Sequence, residues 1–170
     1  MKLDVGHAIN NHLIYLDPGD IVDRGPQARE AWNCLDSLQD TAPPGSKVVR
    51  ILGNHEIWWL QGHFHMINRE NDTRENVEHI VRDLKDRILR GTATAAYSHI
   101  AGNRKILFVH AGLRPAMLSY LRTKIEGELT PERIAEYMNN VLVRETSSCP
   151  AGLQRCPYAD EIFEAGPDRY

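Results

Sequence analysis

The sequence predicts an α/β fold, in which short buried strands alternate with amphipathic helices. Three short aliphatic runs, "LIYL", "KVVRIL" and "KILFV", each lie between turn residues, as buried strands do. Segments with apolar residues at helical spacing separate or follow these runs. A chain of 170 residues can bury one sizeable core but not two, so we expect a single domain over residues 1–170.

The first unit of the chain is predicted to be a strand, a helix and a second strand. The strand at 13–16 leads into a helix over 26–40. Pro26 suits the first helical turn, where a backbone N–H has no helical partner. The breaker "APPG" ends this helix before the second strand at 47–52. These elements together predict a β-α-β unit.

The remainder of the chain is predicted to hold three helices and one strand. The helices are expected at 73–91, 115–125 and 130–143, and the third strand at 105–109. The first of these helices carries an apolar stripe and ends at Gly91, a typical helix stop. Thr130 is the predicted N-cap of the last helix, with a proline directly after it.

Composition and charge exclude several classes of function. The net charge is −3, and basic residues are scattered among acidic ones, so we expect no nucleic-acid partner. No apolar run approaches the roughly 20 residues that span a bilayer, so we expect no membrane association. The 3 cysteines include no C-x-x-C pair, which favours a reducing compartment such as the cytoplasm. The alternative is a small disulfide loop closed by "CPAGLQRC".

Each predicted strand runs directly into polar residues, in "DPGDIVDRG", "GNHE" and "HAG". Ligands of open α/β sheets bind beyond the carboxyl ends of the strands, so we expect the three turns to converge at one edge of a mostly buried, parallel or mixed sheet. They would bring together Asp20, Asn54 and His110. A carboxylate, an amide oxygen and an imidazole suit a borderline first-row divalent ion. The sequence therefore predicts a metal site.

The motifs "GDIVDRG", "GNHE" and "HAG", in this order and at these separations, resemble the calcineurin-like metallophosphoesterases and, more narrowly, the phosphoprotein phosphatases. With "WWLQG" after "GNHE", and with "LFVHAGL", the chain is most similar to the Shewanella-like, or bacterial-like, protein phosphatases. The resemblance implies part of a metallophosphoesterase β-sandwich fold with flanking helices. It also implies a hydrolase that cleaves phosphomonoesters, on a phosphorylated protein or a small phosphoester, by a metal-activated hydroxide.

The resemblance implies a role for each predicted metal ligand. Asp20 would bridge two metal ions, and Asn54 and His110 would ligate the second of them. The cofactors would be divalent metal ions, manganese first, with iron or zinc as alternatives. The intact family holds two ions, whereas one or none is expected in this chain.

The resemblance further implies an acid pair and a phosphate clamp. His55 would protonate the leaving oxygen, Asp23 would fix the tautomer of His55, and Arg24 would hold the phosphoryl oxygens. The chemistry of these residue types agrees with the implied roles, because a planar guanidinium can form two parallel hydrogen bonds to a phosphate. A histidine with a pKa of about 6.5 can also donate a proton at neutral pH.

The sequence departs from the family at both ends. The family's first motif, a strand followed by G-D-x-H-G, is not found, and Asp4 and His7 have the wrong spacing to replace it. His110 is the last of the 8 histidines, so a later histidine ligand is also missing. Arg144 and Arg155 are candidates for a second phosphate-binding arginine. We therefore expect an incomplete phosphatase domain, and a non-catalytic fragment or binding module is the alternative.

Several motif residues also allow purely structural interpretations. Asp23 and Arg24 could form a local ion pair on a surface turn. Asn54 could cap a helix that is followed by a solvated His55. The two tryptophans of "WWLQG" are predicted to pack or to line the rim of a groove. The joint occurrence of the motifs favours the functional interpretation.

Overall fold

The computed structural model describes residues 13–64, 66–68 and 73–149. In these ranges the elements are β1 (Ile14–Asp17), α1 (Ala28–Thr41), β2 (Lys47–Ile51), α2 (Asn54–Leu60), α3 (Arg74–Leu89), β3 (Ala93–Thr94), β4 (Ala96–Ala101), β5 (Arg104–Val109), α4 (Pro115–Lys124) and α5 (Pro131–Ser147). The predicted α/β class is confirmed. Asp4, His7 and Arg155 lie outside the described residues, so the structure says nothing of their proposed roles.

The strands form two separate sheets. One sheet has the order β1-β2-β3 with parallel neighbours, and Ile14 pairs with Lys47 while Arg50 pairs with Ala93. The other is an antiparallel hairpin of β4 and β5. The expectation that all three predicted strands share one sheet is therefore wrong. The run "KILFV" lies in β5, which follows β4 after a tight turn that begins at Gly102, with φ +62°.

The first strand is more exposed than predicted. Leu13, Ile14 and Tyr15 are 54%, 41% and 49% exposed, and Asp17 is the buried residue of β1. Within the described ranges β1 pairs with β2 alone, so one of its edges contacts no other strand. The second strand meets the expectation of burial, because every residue of β2 after Lys47 is buried.

The predicted helices are confirmed as α1, α3, α4 and α5. Thr73 and Thr130 cap α3 and α5, because each hydroxyl accepts a hydrogen bond from the backbone N–H three residues later. The apolar faces of α3 and α5 pack together over both sheets and supply Ile80, Leu84 and Leu142 to the core. Within the described part of the chain, no helix combines the length and the apolar character needed to cross a membrane.

A network of one buried and three partly buried charged side chains ties β2 to α1 and α3. The guanidinium of Arg50 lies 4.7 Å from the Trp32 ring and pairs with Asp36. Arg87 bonds both Asp36 and Asp83 at 2.6 Å, and the Trp32 indole donates to Asp83 at 2.6 Å. Burial lowers the pKa of the Arg50 guanidinium, and the neighbouring Arg87 lowers it further. The network holds the strand that leads into "GNHE".

One of the two described cysteines differs from the expectation of reduced thiols. Cys34 is an exposed free thiol on α1. Cys149, directly after α5, is disulfide-bonded. Cys156, the other cysteine of "CPAGLQRC", lies outside the described residues.

Candidate active site

The loop after β1 carries an uncommon backbone conformation. Gly19 has φ +92°, and three non-glycine residues, Asp20, Asp23 and Arg24, have φ of +61°, +73° and +62°. Such conformations cost on the order of 1–3 kcal/mol for residues with a side chain, and they persist where the surroundings impose them. The loop therefore needs contacts from elsewhere in the fold.

Glu56, the last residue of "GNHE", supplies those contacts. Its Oε1 accepts the backbone N–H groups of Ile21 and Val22 at 2.8 and 3.2 Å. Its Oε2 accepts those of Asp20 and Gly53 at 2.8 and 2.9 Å. One buried carboxylate thus joins the first loop to the start of α2. Sequence reasoning missed this role, although an acid three residues after an N-cap is a known capping signal.

Beneath this loop lies the buried carboxyl group of Asp17. Asp17 is 7% exposed, and its Oδ1 accepts the Gly19 N–H at 3.2 Å. Burial raises the pKa of the Asp17 carboxyl, while the hydrogen bond from Gly19 opposes that rise. The residue fixes the chain where the strand turns into the loop.

Two glycines let the first loop and the "GNHE" turn approach each other. A Cβ on Gly19 would lie 2.3 Å from the Gly53 nitrogen and 2.8 Å from the Ile51 oxygen. A Cβ on Gly53 would lie 2.1 Å from Asp20 Oδ1. None of these three distances is compatible with a side chain, so both positions require glycine.

We expect Gly19→Ala to destabilise the protein far more than Gly91→Ala. Both residues have positive φ, +92° and +71°, but a Cβ on Gly91 meets nothing within 4 Å. Strain alone should cost about 1–2 kcal/mol, and the clash at Gly19 should add about 1–3 kcal/mol. Denaturant unfolding of both variants measures the difference. Equal losses would show that backbone conformation alone decides the cost.

Asp23 and His55 form a buried pair. His55 Nδ1 lies 2.7 Å from Asp23 Oδ2, and the two side chains are 3% and 1% exposed. Because a carboxylate only accepts, Nδ1 carries the proton and Nε2 is the remaining ring nitrogen. The structure thus places the two predicted partners in contact, while their chemical role stays a prediction. The interpretations as a surface ion pair and a solvated histidine do not fit this burial.

His110 reaches the same loop from the other sheet. Its Nε2 lies 3.3 Å from Asp20 Oδ2, and its Nδ1 lies 2.6 Å from the Pro18 carbonyl oxygen. The carbonyl only accepts, so Nδ1 donates to it, and in the neutral ring Nε2 turns a lone pair toward the carboxylate. Two lone pairs at this distance repel unless a proton or a cation lies between them. The pair is therefore suited to a cation.

Asn54, the third predicted metal ligand, begins α2. Its side chain is exposed and makes no hydrogen bond to the part of the chain that the structure describes. The next backbone N–H, that of His55, donates to Asp20 Oδ1 at 3.1 Å, which places the first turn of α2 against the Asp20 carboxylate. Asn54 therefore lies one residue before the backbone group that binds Asp20, with its amide exposed to solvent.

The donor types at this point fit a divalent ion. A carboxylate, an imidazole and an amide oxygen together suit a borderline first-row metal. Over residues 13–64, 66–68 and 73–149, no three His, Cys, Asp or Glu side chains are grouped as metal ligands. Asp20, His110 and Asn54 do not count as such a group, because asparagine is not one of these four residue types. Their assignment as a metal site stays a prediction.

Arg24 is available to an anion. Its backbone N–H donates to the Met66 carbonyl at 3.1 Å, while its exposed guanidinium has no partner among the described residues. Arg144, a candidate for the second phosphate-binding arginine, instead lies on α5 and pairs with Glu145 at 2.9 Å. The structure therefore places on the loop of Asp20 an arginine whose guanidinium is unpaired within the described part of the chain.

Comparison with known proteins identifies a family and two named relatives. The family model described as calcineurin-like phosphoesterase matches residues 2–145. The chain is 36% identical over 100 residues to "Bis(5'-nucleosyl)-tetraphosphatase, symmetrical" of Azotobacter vinelandii, covering 57% of the chain and 32% of that protein. It is 29% identical over 101 residues to the protein of the same name from Pseudomonas syringae pv. tomato, covering 57% and 30%.

A further relative is an uncharacterized protein of Schizosaccharomyces pombe, 27% identical over 137 residues, covering 75% of the chain and 40% of that protein. The chain thus spans 30–40% of the length of these curated relatives. No solved structure matches the chain. Neither named relative is a protein phosphatase, so the comparisons do not support the narrower resemblance to Shewanella-like protein phosphatases.

Proposed function

The chain belongs to the calcineurin-like phosphoesterase family, and from this premise we propose that it hydrolyses small phosphoesters in a metal-dependent reaction. The mixed α/β architecture is consistent with that family's fold. The substrate that we propose is a dinucleoside tetraphosphate, which is supported by the names of two relatives. The protein substrate expected from the motifs has no comparable support.

The convergence of two imidazoles on one carboxylate oxygen carries this proposal. Asp20 Oδ2 lies 3.3 Å from His110 Nε2 and 3.9 Å from His55 Nε2. A hydrogen bond at Nδ1 orients each ring. The partner of His110 is the Pro18 carbonyl oxygen, and the partner of His55 is the Asp23 carboxylate. The arrangement presents a cation-binding side and a proton-donating side within one small region.

The metal would be held by Asp20, His110 and Asn54. The family implies a divalent ion, and manganese, iron and zinc all suit this donor set. When bound, the ion supplies positive charge that polarises the phosphoryl oxygens. Arg24 adds a second positive charge, and its planar guanidinium can bond two phosphoryl oxygens at once.

The chain's own residues account for the proton transfer. A water oxygen forms a bond to phosphorus as the bridging P–O bond breaks, and the bond's electron pair stays on the departing oxygen. His55 Nε2 gives its proton to that oxygen and later regains one from solvent, while the attacking water releases one. Asp23 stabilises the positively charged ring, because it accepts from Nδ1 at 2.7 Å.

The full chain incubated with Mn²⁺ and diadenosine tetraphosphate tests the proposal. Symmetrical hydrolysis yields two molecules of ADP, which chromatography separates from AMP and ATP. The Asp20→Asn variant should lose this activity, because it weakens the cation-binding carboxylate. A phosphoserine peptide tests the alternative substrate class. Hydrolysis of the peptide without hydrolysis of the tetraphosphate would contradict the proposed substrate.

A second candidate function is phosphoester binding without turnover. It is favoured by the exposed Arg24 guanidinium, which can bond two phosphoryl oxygens without any proton transfer. Equilibrium dialysis with diadenosine tetraphosphate distinguishes the two candidates. Binding that Asp20→Asn and an Arg24→Ala variant both weaken, with no ADP formed, would support the binding module over the hydrolase.

A further inference from the structure

We propose that Trp59 is a positioning residue for the Asp23–His55 pair, an inference that rests on the proposed function. Its indole N–H donates to Asp23 Oδ1 at 2.7 Å, while Asp23 Oδ2 lies 2.7 Å from His55 Nδ1. The carboxylate is therefore held at both oxygens. Trp59 acts through Asp23 and makes no hydrogen bond to His55 itself.

Helix α2 explains why Trp59 and His55 can both hydrogen-bond to the Asp23 carboxylate. The two residues are four positions apart on α2, so their side chains lie on one face of the helix. Asp23 enters between them from the strained loop after β1, where its own φ is +73°. Helix α2 thus fixes the position of the Asp23 carboxylate, which the strained backbone of its own loop would not fix without these contacts.

Aromatic contacts restrict the rings of this unit. Phe64 meets the Trp59 ring edge-on, with 6.0 Å between centroids and 70° between planes. Trp58 meets the His55 ring in the same way, at 4.7 Å and 62°. Trp59 is 1% exposed, so water cannot readily replace its N–H if the indole is removed. Losing that donor leaves Asp23 Oδ1 buried without a partner and frees the carboxylate to rotate.

Trp32 offers a matched control. It is also 1% exposed, and its indole N–H also donates to a carboxylate, Asp83 Oδ2, at 2.6 Å. It lies on α1 in the network around Arg50, and among the described residues no hydrogen bond joins it to Asp23 or His55. Trp59→Phe and Trp32→Phe therefore remove the same kind of ring and hydrogen bond, one at the site and one away from it.

Nuclear magnetic resonance of the metal-free full chain tests the positioning without any turnover. We expect the ring ¹⁵N signals of His55 to show the Nδ1–H tautomer in the unsubstituted chain. Trp59→Phe should convert them to a mixture of tautomers, and Trp32→Phe should leave them unchanged. A His55 tautomer that is unaffected by Trp59→Phe would overturn the proposal.

The unsubstituted chain gives a readout that does not depend on the variant's folding. The Trp59 indole proton should exchange slowly with solvent, because the indole is buried and donates to Asp23 Oδ1. A Trp59 indole proton that exchanges as fast as that of an exposed tryptophan would contradict the hydrogen bond on which the proposal rests.

Kinetics with two aryl phosphates and Mn²⁺ provide the functional readout. We expect Trp59→Phe to lower kcat about 10-fold for phenyl phosphate and less for p-nitrophenyl phosphate, with KM unchanged, because the better leaving group needs less protonation. Equal losses on both esters, or the same pattern in Trp32→Phe, would overturn the role. If the unsubstituted chain hydrolyses neither these esters nor diadenosine tetraphosphate, the proposed function fails, and the resonance experiment still decides the positioning role.

Discussion

We expect the His55→Asn variant to hydrolyse phosphoesters with poor leaving groups about 100- to 10,000-fold more slowly than the unsubstituted chain. The reason is that asparagine cannot donate an acidic proton, whereas the His55 ring is held by Asp23 with Nε2 turned toward Asp20. Esters with good leaving groups need less protonation and should lose much less. Initial rates on phenyl phosphate and p-nitrophenyl phosphate measure both effects.

His79→Asn is the matched control for this variant. His79 is an exposed residue of α3, so the same substitution there should leave both rates unchanged. If His55→Asn lowered the rates on the two esters equally, His55 would act in binding or in site structure rather than as the acid. The test thereby distinguishes the proposed proton transfer from a general loss of the fold.

The second large effect is expected for Glu56→Gln, which should lower the free energy of unfolding by about 3–5 kcal/mol. The Glu56 carboxylate accepts four backbone N–H groups, from Asp20, Ile21, Val22 and Gly53. Glutamine keeps one accepting oxygen and turns an NH₂ group toward the donors on the other side. Each buried donor left without a partner costs about 1–3 kcal/mol. Denaturant unfolding measures the loss.

Glu78→Gln is the control for this prediction. Glu78 is partly exposed and pairs with the exposed Arg74 one helical turn away, at 2.8 Å. Removing such a surface pair should change the free energy of unfolding by less than about 1 kcal/mol. A loss of that same small size in Glu56→Gln would mean that the loop does not depend on the carboxylate, and the structural account of the strained residues would be wrong.

The predicted helices could be found from the sequence because their signals are local. The apolar stripe of 73–91 and the threonine caps arise from neighbours along the chain, and they predict α3 and α5 within a few residues. Helix α2 entered the sequence analysis only as the alternative in which Asn54 caps a helix, because its 7 residues are too few to show a helical period. Strand β4, "AYSHIA", was missed because it is half-exposed and not aliphatic.

The sequence by itself determined the fold class, the family and the residue types delivered at the strand ends, because motif identity and spacing are properties of the chain. Only the tertiary structure decided that His110 reaches Asp20 from a second sheet, that Glu56 holds the strained loop, and that Trp59 completes the Asp23–His55 unit. These contacts join residues 32–90 positions apart, and no local pattern specifies which distant donor a buried carboxylate will meet. Burial selects the partner, since each buried polar group must find one within the folded chain.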